Sequence, residues 1–122
     1  MSEFSEAILS AGRGDTSVNK DGWFRRDFVF TEDFPGFSGH FPGCPVLPAI
    51  AQMVAGASLA AAWRGQIPEI HNVKNAKFLA PILPGMAITI LARPHGQDAA
   101  EARVLLKDQT AATFILGFSK DA

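Results

Sequence analysis

His40 stands in the run Phe37-Ser38-Gly39-His40-Phe41-Pro42-Gly43-Cys44-Pro45-Val46-Leu47-Pro48, where three prolines and two glycines surround one imidazole. An imidazole titrates near neutral pH without help from its surroundings, so it can take up and release protons there. Gly39 and Gly43 permit backbone angles and close approaches that larger residues forbid. Pro42, Pro45 and Pro48 fix φ, so the loop loses little entropy when it is ordered. The run leads into an apolar helix, whose first N–H groups lack intrahelical partners. A base would therefore be held near free backbone donors. The plain alternative for an isolated loop histidine is a hydrogen bond to backbone. Cys44 has two readings as well, a nucleophile activated by His40 or a small buried apolar residue, and nothing else marks a lowered thiol pKa. His71 and His95 read as a strand residue and a turn residue. The three histidines are too scattered for a metal site, and no metal or cofactor is expected.

The helix that must position this loop is predicted over Ala49–Trp63. Pro48 suits a first-turn position, where its missing N–H does no harm. Ile50, Met53, Val54, Ala57 and Ala61 follow helical spacing. Asp and Glu are absent from Val46 to Arg64, which predicts a buried helix. Gly65 after Arg64 is a suitable C-terminal stop. Gly56 inside the helix costs about 1 kcal/mol against alanine, which close backbone packing would explain.

The rest of the chain reads mainly as strand. Trp23–Phe30 alternates, with Phe24, Arg26, Phe28 and Phe30 on one face. Ile70–Phe78, Met86–Arg93, Ala99–Lys107 and Ala111–Ser119 are further strands, separated by Pro and Gly or by polar turns. Residues 3–11 form a short mixed segment, Gly12–Asn19 a polar loop or hairpin connection, and Thr31–Pro45 a long loop. One buried helix followed by sequential antiparallel strands gives an α+β fold in a single domain over residues 1–122.

The 122 residues are 48% hydrophobic and 19% charged, with a formal net charge of -1. This balance describes a globular chain and gives no electrostatic case for nucleic acid or an anionic membrane surface. The single cysteine excludes an intrachain disulfide framework. There is no apolar run of about 20 residues for a membrane span, and Met1–Glu6 lacks a basic signal-peptide start. The expected location is cytoplasmic.

The words G-H-F-P-G and P-V-L-P, with Ala76-Lys77-Phe78-Leu79-Ala80-Pro81-Ile82-Leu83-Pro84-Gly85 later in the chain, resemble the β-hydroxyacyl-acyl-carrier-protein dehydratases of the hotdog superfamily. Ile67-Pro68-Glu69-Ile70 after the helix adds to the likeness, which covers roughly residues 23–92. The run Pro45–Gln52 is nearer the dehydratase-like branch linked to aryl polyene pathways. The resemblance implies a hotdog fold, an antiparallel sheet wrapped around one central helix. It also implies elimination of water from a 3-hydroxyacyl thioester of acyl-carrier protein or coenzyme A, as in fatty acid or polyketide-type biosynthesis. In that chemistry His40 matches the catalytic histidine. The family's carbonyl donor, a backbone N–H at the helix start, falls on Ala49. Phe37, Gly39, Phe41, Gly43 and Pro48 are the expected substrate-binding residues.

The family's acid does not carry over. Its Asp or Glu, used across a dimer interface, falls on Val54, and valine neither donates a proton nor orients a water. One such group is typically worth about 10²–10⁴-fold in rate. Ser58, one turn along the same helix face, is a candidate substitute. Gln52 is directed elsewhere, and Glu32, Asp33 and Glu69 lie in loops. Arg25 and Arg26 read as solvated strand charges or as contacts for a phosphopantetheine or an acidic carrier. Two classes of function follow. One is an enzyme on an acyl thioester, a dehydratase with a relocated acid or a thioesterase. The other is a non-catalytic acyl or carrier-protein binding subunit, able to pair with an active homologue. His40 favours the first and Val54 the second; the reading adopted is a dehydratase-like thioester protein. An exposed sheet edge and the prevalence of two-fold symmetry predict a homodimer, with a larger oligomer or a heteromer as the alternatives.

Overall fold

The computed structural model describes residues 3–37 and 45–120. It begins with α1 (Glu3–Ser10), β1 (Gly12–Val18) and β2 (Phe24–Val29), then a 3₁₀ turn at Pro35–Phe37. The helical centre follows as α2 (Ala49–Leu59) and α3 (Ala61–Arg64), and the chain ends in β3 (Asn72–Phe78), β4 (Ala87–Pro94), β5 (Ala99–Leu106) and β6 (Gln109–Gly117). The six strands form one antiparallel sheet in the order β1-β2-β4-β5-β6-β3. The sheet wraps α2, which packs on β2, β4, β5 and β6. This is the hotdog fold that the motifs imply.

Alternation explains the middle of the sheet. Ile88, Ile90 and Ala92 on β4, and Ala100, Ala102 and Val104 on β5, point inward, while Thr89, Arg93, Glu101 and Arg103 point out. Phe28, Phe30, Phe114 and Leu116 complete the core as fully buried side chains, each contributing roughly 1.5–3 kcal/mol by leaving water. The helix meets this surface through small residues, Ala51, Ala55 and Gly56. A Cβ on Gly56 would lie 3.3 Å from the Phe114 ring and 3.4 Å from Ala102 Cβ, so glycine permits the close approach that its helical position suggested.

Three expectations are corrected. Gly12–Val18 is a strand, not a loop; it lies at a sheet edge with most residues exposed, so no alternation marks it, and a bulge between Arg13 and Ser17 interrupts its pairing with β2. The helix does not run unbroken to Trp63. Ser58 Oγ donates to Ala55 O at 2.6 Å, and Ala60 N–H turns back to Ala57 O, which tightens the chain between α2 and α3. Nor is α2 buried all round, for Ile50 is 52% exposed and Met53 and Val54 are only partly covered. Pro48 sits at the N-cap, one residue before the first turn, with extended backbone, and Gly65 closes α3 at φ +87°. Among the described residues no helix is long and apolar enough to cross a membrane.

Candidate functional site

The segments carrying the two sequence motifs converge at the start of α2. A cavity of about 370 Å³ opens there, with Val46, Leu47, Pro48, Ala49 and Gln52 on one side and Phe78, Leu79, Ala80 and Pro81 on the other. Backbone hydrogen bonds hold the walls together. Leu47 N–H donates to Ile82 O at 2.8 Å. Ala111 is skipped in the β5–β6 pairing, and its carbonyl accepts from both Leu79 N–H (2.8 Å) and Ala80 N–H (3.2 Å). A one-residue bulge in β6 thus fixes the second motif over the helix start. The lining is mostly apolar, and Ala49 presents an N–H of the first helical turn, which has no intrahelical acceptor.

Gln52 is the exception to that apolar lining. It is 4% exposed, the one buried polar side chain among the described residues. Its Nε2 donates to Leu47 O at 3.3 Å, and its Oε1 has no partner among the described residues. The reverse orientation would set Oε1 against the Leu47 carbonyl, two acceptors facing each other, so Nε2 is the end that faces Leu47 O. An unsatisfied buried acceptor costs about 1–3 kcal/mol. Sequence reasoning passed over Gln52 because it follows the Val54 face of the helix. The available signal was that Gln52 is the only polar side chain between Val46 and Gly56.

Val54 and Ser58 lie elsewhere. With Ile50 and Ala57 they line a larger groove of about 780 Å³ on another face of α2. Ser5 and Leu9 of α1 and residues 67–71 before β3 form its other walls. Ser58 already gives its hydroxyl hydrogen to Ala55 O. Glu69 and His71 face the same groove, with Glu69 Oε2 4.0 Å from His71 Nε2, an ion pair only when the imidazole is protonated. Within one chain, then, Ala49 and Pro48 share a cavity with Gln52, while Val54, Ser58 and Glu69 share a separate groove.

Phe37 is buried, with its ring edge-on to Phe34 at 5.7 Å in a cluster that includes Phe30 and Phe4. Glu32 and Asp33 are exposed in the turn before it. Arg25 pairs with Asp27 at 3.3 Å, and Arg26 donates to Gly14 O and lies over the Phe28 ring, so both serve the sheet locally. His40, Gly39, Phe41, Gly43 and Cys44 lie outside the described residues.

Comparison with known proteins agrees with this architecture. The profile of the ApeI-like family, described as ApeI dehydratase, matches residues 17–114. The 3-hydroxyacyl-[acyl-carrier-protein] dehydratase FabZ of Erythrobacter litoralis is 35% identical over 71 residues, covering 51% of this chain. The match spans 46% of that relative, about half its length. The FabZ of Clostridium acetobutylicum is 36% identical over 102 residues, covering 65% of this chain and 71% of the relative. Among solved structures, the dehydratase heterocomplex ApeI:P from Xenorhabdus doucetiae superposes with a TM-score of 0.68 at 22% identity, over 84% of this chain and 92% of that one. With 98 of its 122 residues inside the family match, the chain belongs to the ApeI-like family of hotdog-fold dehydratases.

Proposed function

We propose that this protein acts on 3-hydroxyacyl thioesters, carried by acyl-carrier protein or coenzyme A, from the cavity at the start of α2. The supporting observation is that the segments after His40 and around Phe78–Pro81 meet at one apolar cavity beside the first turn of α2. Ala49 N–H polarises the thioester carbonyl there, which acidifies the neighbouring C2–H. His40 takes the C2 proton. The electron pair forms the C2=C3 bond, the C3–O bond breaks, and the hydroxyl leaves as water once it gains a proton. Val54 stands where the family uses its acid, so that last proton is the weak step.

Two copies of the chain complete the arrangement. The outer edge of β3 has no partner strand among the described residues. Exposed Val73, Phe78 and Leu79 lie on or beside it, and Ile50 and Ile67 are exposed at the groove. Pairing of two β3 edges would cover apolar surface that one chain leaves in water. An alternative reading, a binding subunit without turnover, is favoured by Val54 and by the committed hydroxyl of Ser58.

The deciding experiment follows dehydration of a short 3-hydroxyacyl thioester by wild type and His40→Ala. Turnover lost in His40→Ala supports the enzyme. Binding of acyl-pantetheine with no turnover supports the binding subunit. Turnover unaffected by His40→Ala refutes the site.

A further inference from the structure

We propose that Gln52 reads the 3-hydroxyl group of the acyl chain, its unpaired Oε1 accepting the hydroxyl hydrogen of a 3-hydroxyacyl group seated in the cavity. This rests on the thioester reading and adds to it the side chain that separates hydroxylated acyl groups from plain ones. The first observation is the orphan itself. Gln52 is more than nine-tenths buried, it forms part of the cavity wall, and its Oε1 has neither a partner among the described residues nor access to bulk water. The second is polarity. Because Nε2 is tethered to Leu47 O, the free end of the amide is an acceptor, and the ligand group that complements it is a donor. The third is position. Ala49 and Gln52 are three residues apart on one helix, hence on neighbouring parts of one face, and both line the cavity.

The site therefore offers one donor, Ala49 N–H, and one acceptor, Gln52 Oε1, in an otherwise mostly apolar enclosure. A 3-hydroxyacyl thioester carries the matching acceptor and donor, its carbonyl and its hydroxyl. A saturated or 2-enoyl chain carries only the carbonyl and leaves Oε1 unpaired. Elimination would thus remove the group that Gln52 holds, which favours release of the product. Oε1 is covered in the chain without ligand, and binding in this proposal includes a rotation of the Gln52 carboxamide that turns Oε1 to the hydroxyl. Gln52 orients the leaving group; as an amide it is not the acid.

The test is calorimetric titration with pantetheine analogues in which nitrogen replaces the thioester sulfur, so that elimination is slowed. The acyl groups are butyryl, 3-hydroxybutyryl and 3-fluorobutyryl, the last able to accept a hydrogen bond but not to donate one. Wild type should bind the hydroxyl analogue about tenfold more tightly than the fluoro analogue, a difference of about 1.4 kcal/mol. Gln52→Met should bring the two within twofold. Gln52→Glu, whose carboxyl keeps an acceptor, should retain the preference. Equal affinity of wild type for all three analogues overturns the proposal and spares the thioester reading, and this comparison stands even if a variant fails to fold. An undiminished preference in folded Gln52→Met also overturns it. If wild type binds none of the three, the thioester reading falls and this proposal with it.

Discussion

Two faces of α2 use their side chains in opposite ways. Toward the sheet the helix presents Ala51, Ala55 and Gly56, small residues that are buried because the strands come close. Toward the groove it presents Ile50 and Val54, larger and more hydrophobic, yet incompletely covered. Between these two faces, side-chain size and burial run against each other. Their polar groups differ as well. Ser58, on the groove, spends its hydrogen on its own backbone. Gln52, beside the first motif, keeps a free acceptor in a buried place. The face that packs tightly holds the fold together, and the face left open carries the larger apolar side chains that the dimer proposal would cover.

The largest expected effect comes from restoring a carboxyl to the groove face. Val54→Glu should raise turnover of a short 3-hydroxyacyl thioester by about 10²-fold or more, the usual scale for one general acid. A carboxyl on this half-covered apolar wall tends to stay neutral, which suits proton donation, at some cost in stability. The gain should vanish in the Val54→Glu, His40→Ala double variant. It should also fall on dilution below the dimer dissociation constant, since Val54 faces away from the cavity of its own chain. A gain that survives in a monomer would place the missing acid within one chain and break the contrast between the faces.

A second effect falls on the packed face. Gly56→Val adds bulk where even one Cβ meets Phe114 at 3.3 Å, and it should destabilise the chain by about 1–3 kcal/mol in urea unfolding. An unchanged midpoint would mean that α2 is free to lift from the sheet. On the groove face, Ile50→Asp should instead lower dimer affinity, read by sedimentation as dissociation at micromolar concentration, while far-ultraviolet circular dichroism is unchanged. A wild-type chain that sediments as a monomer under these conditions would remove the dimer from the mechanism.

These contrasts were only partly legible in the sequence. Strands β3 to β6 could be read because Pro84-Gly85 and the polar turns bound them, and because β4 and β5 alternate between core and solvent. β1 could not, since a mostly exposed edge strand carries no period to detect. That the two motifs meet at one cavity could not be read either, for what joins them is the bulge at Ala111, and Thr110-Ala111-Ala112 looks like ordinary strand in one dimension. The helical spacing of Ile50, Met53 and Val54, with no carboxylate nearby, suggested a helix buried on all sides. It misled because the true core face is built from alanine and glycine, whose low bulk records how near the sheet lies.

The smallest effect should belong to Ser58, the substitute acid suggested by helix spacing. Its hydroxyl lies in the groove beside Val54, the right neighbourhood, but its hydrogen is donated to Ala55 O at 2.6 Å. To protonate a leaving hydroxyl it would have to give up that bond and then recover a proton from a stronger acid. Ser58→Ala should therefore change turnover by less than about threefold, well below the scale of a lost general acid, and shift stability by no more than about 0.5–1.5 kcal/mol, the net worth of one such hydrogen bond. Glu69→Gln, measured beside it, tests the only carboxylate that lines the same groove among the described residues. A large loss in Ser58→Ala alone would make the hydroxyl a proton donor after all. A loss in both variants would make Ser58 a relay from Glu69, and the groove rather than the cavity would then control the weak step.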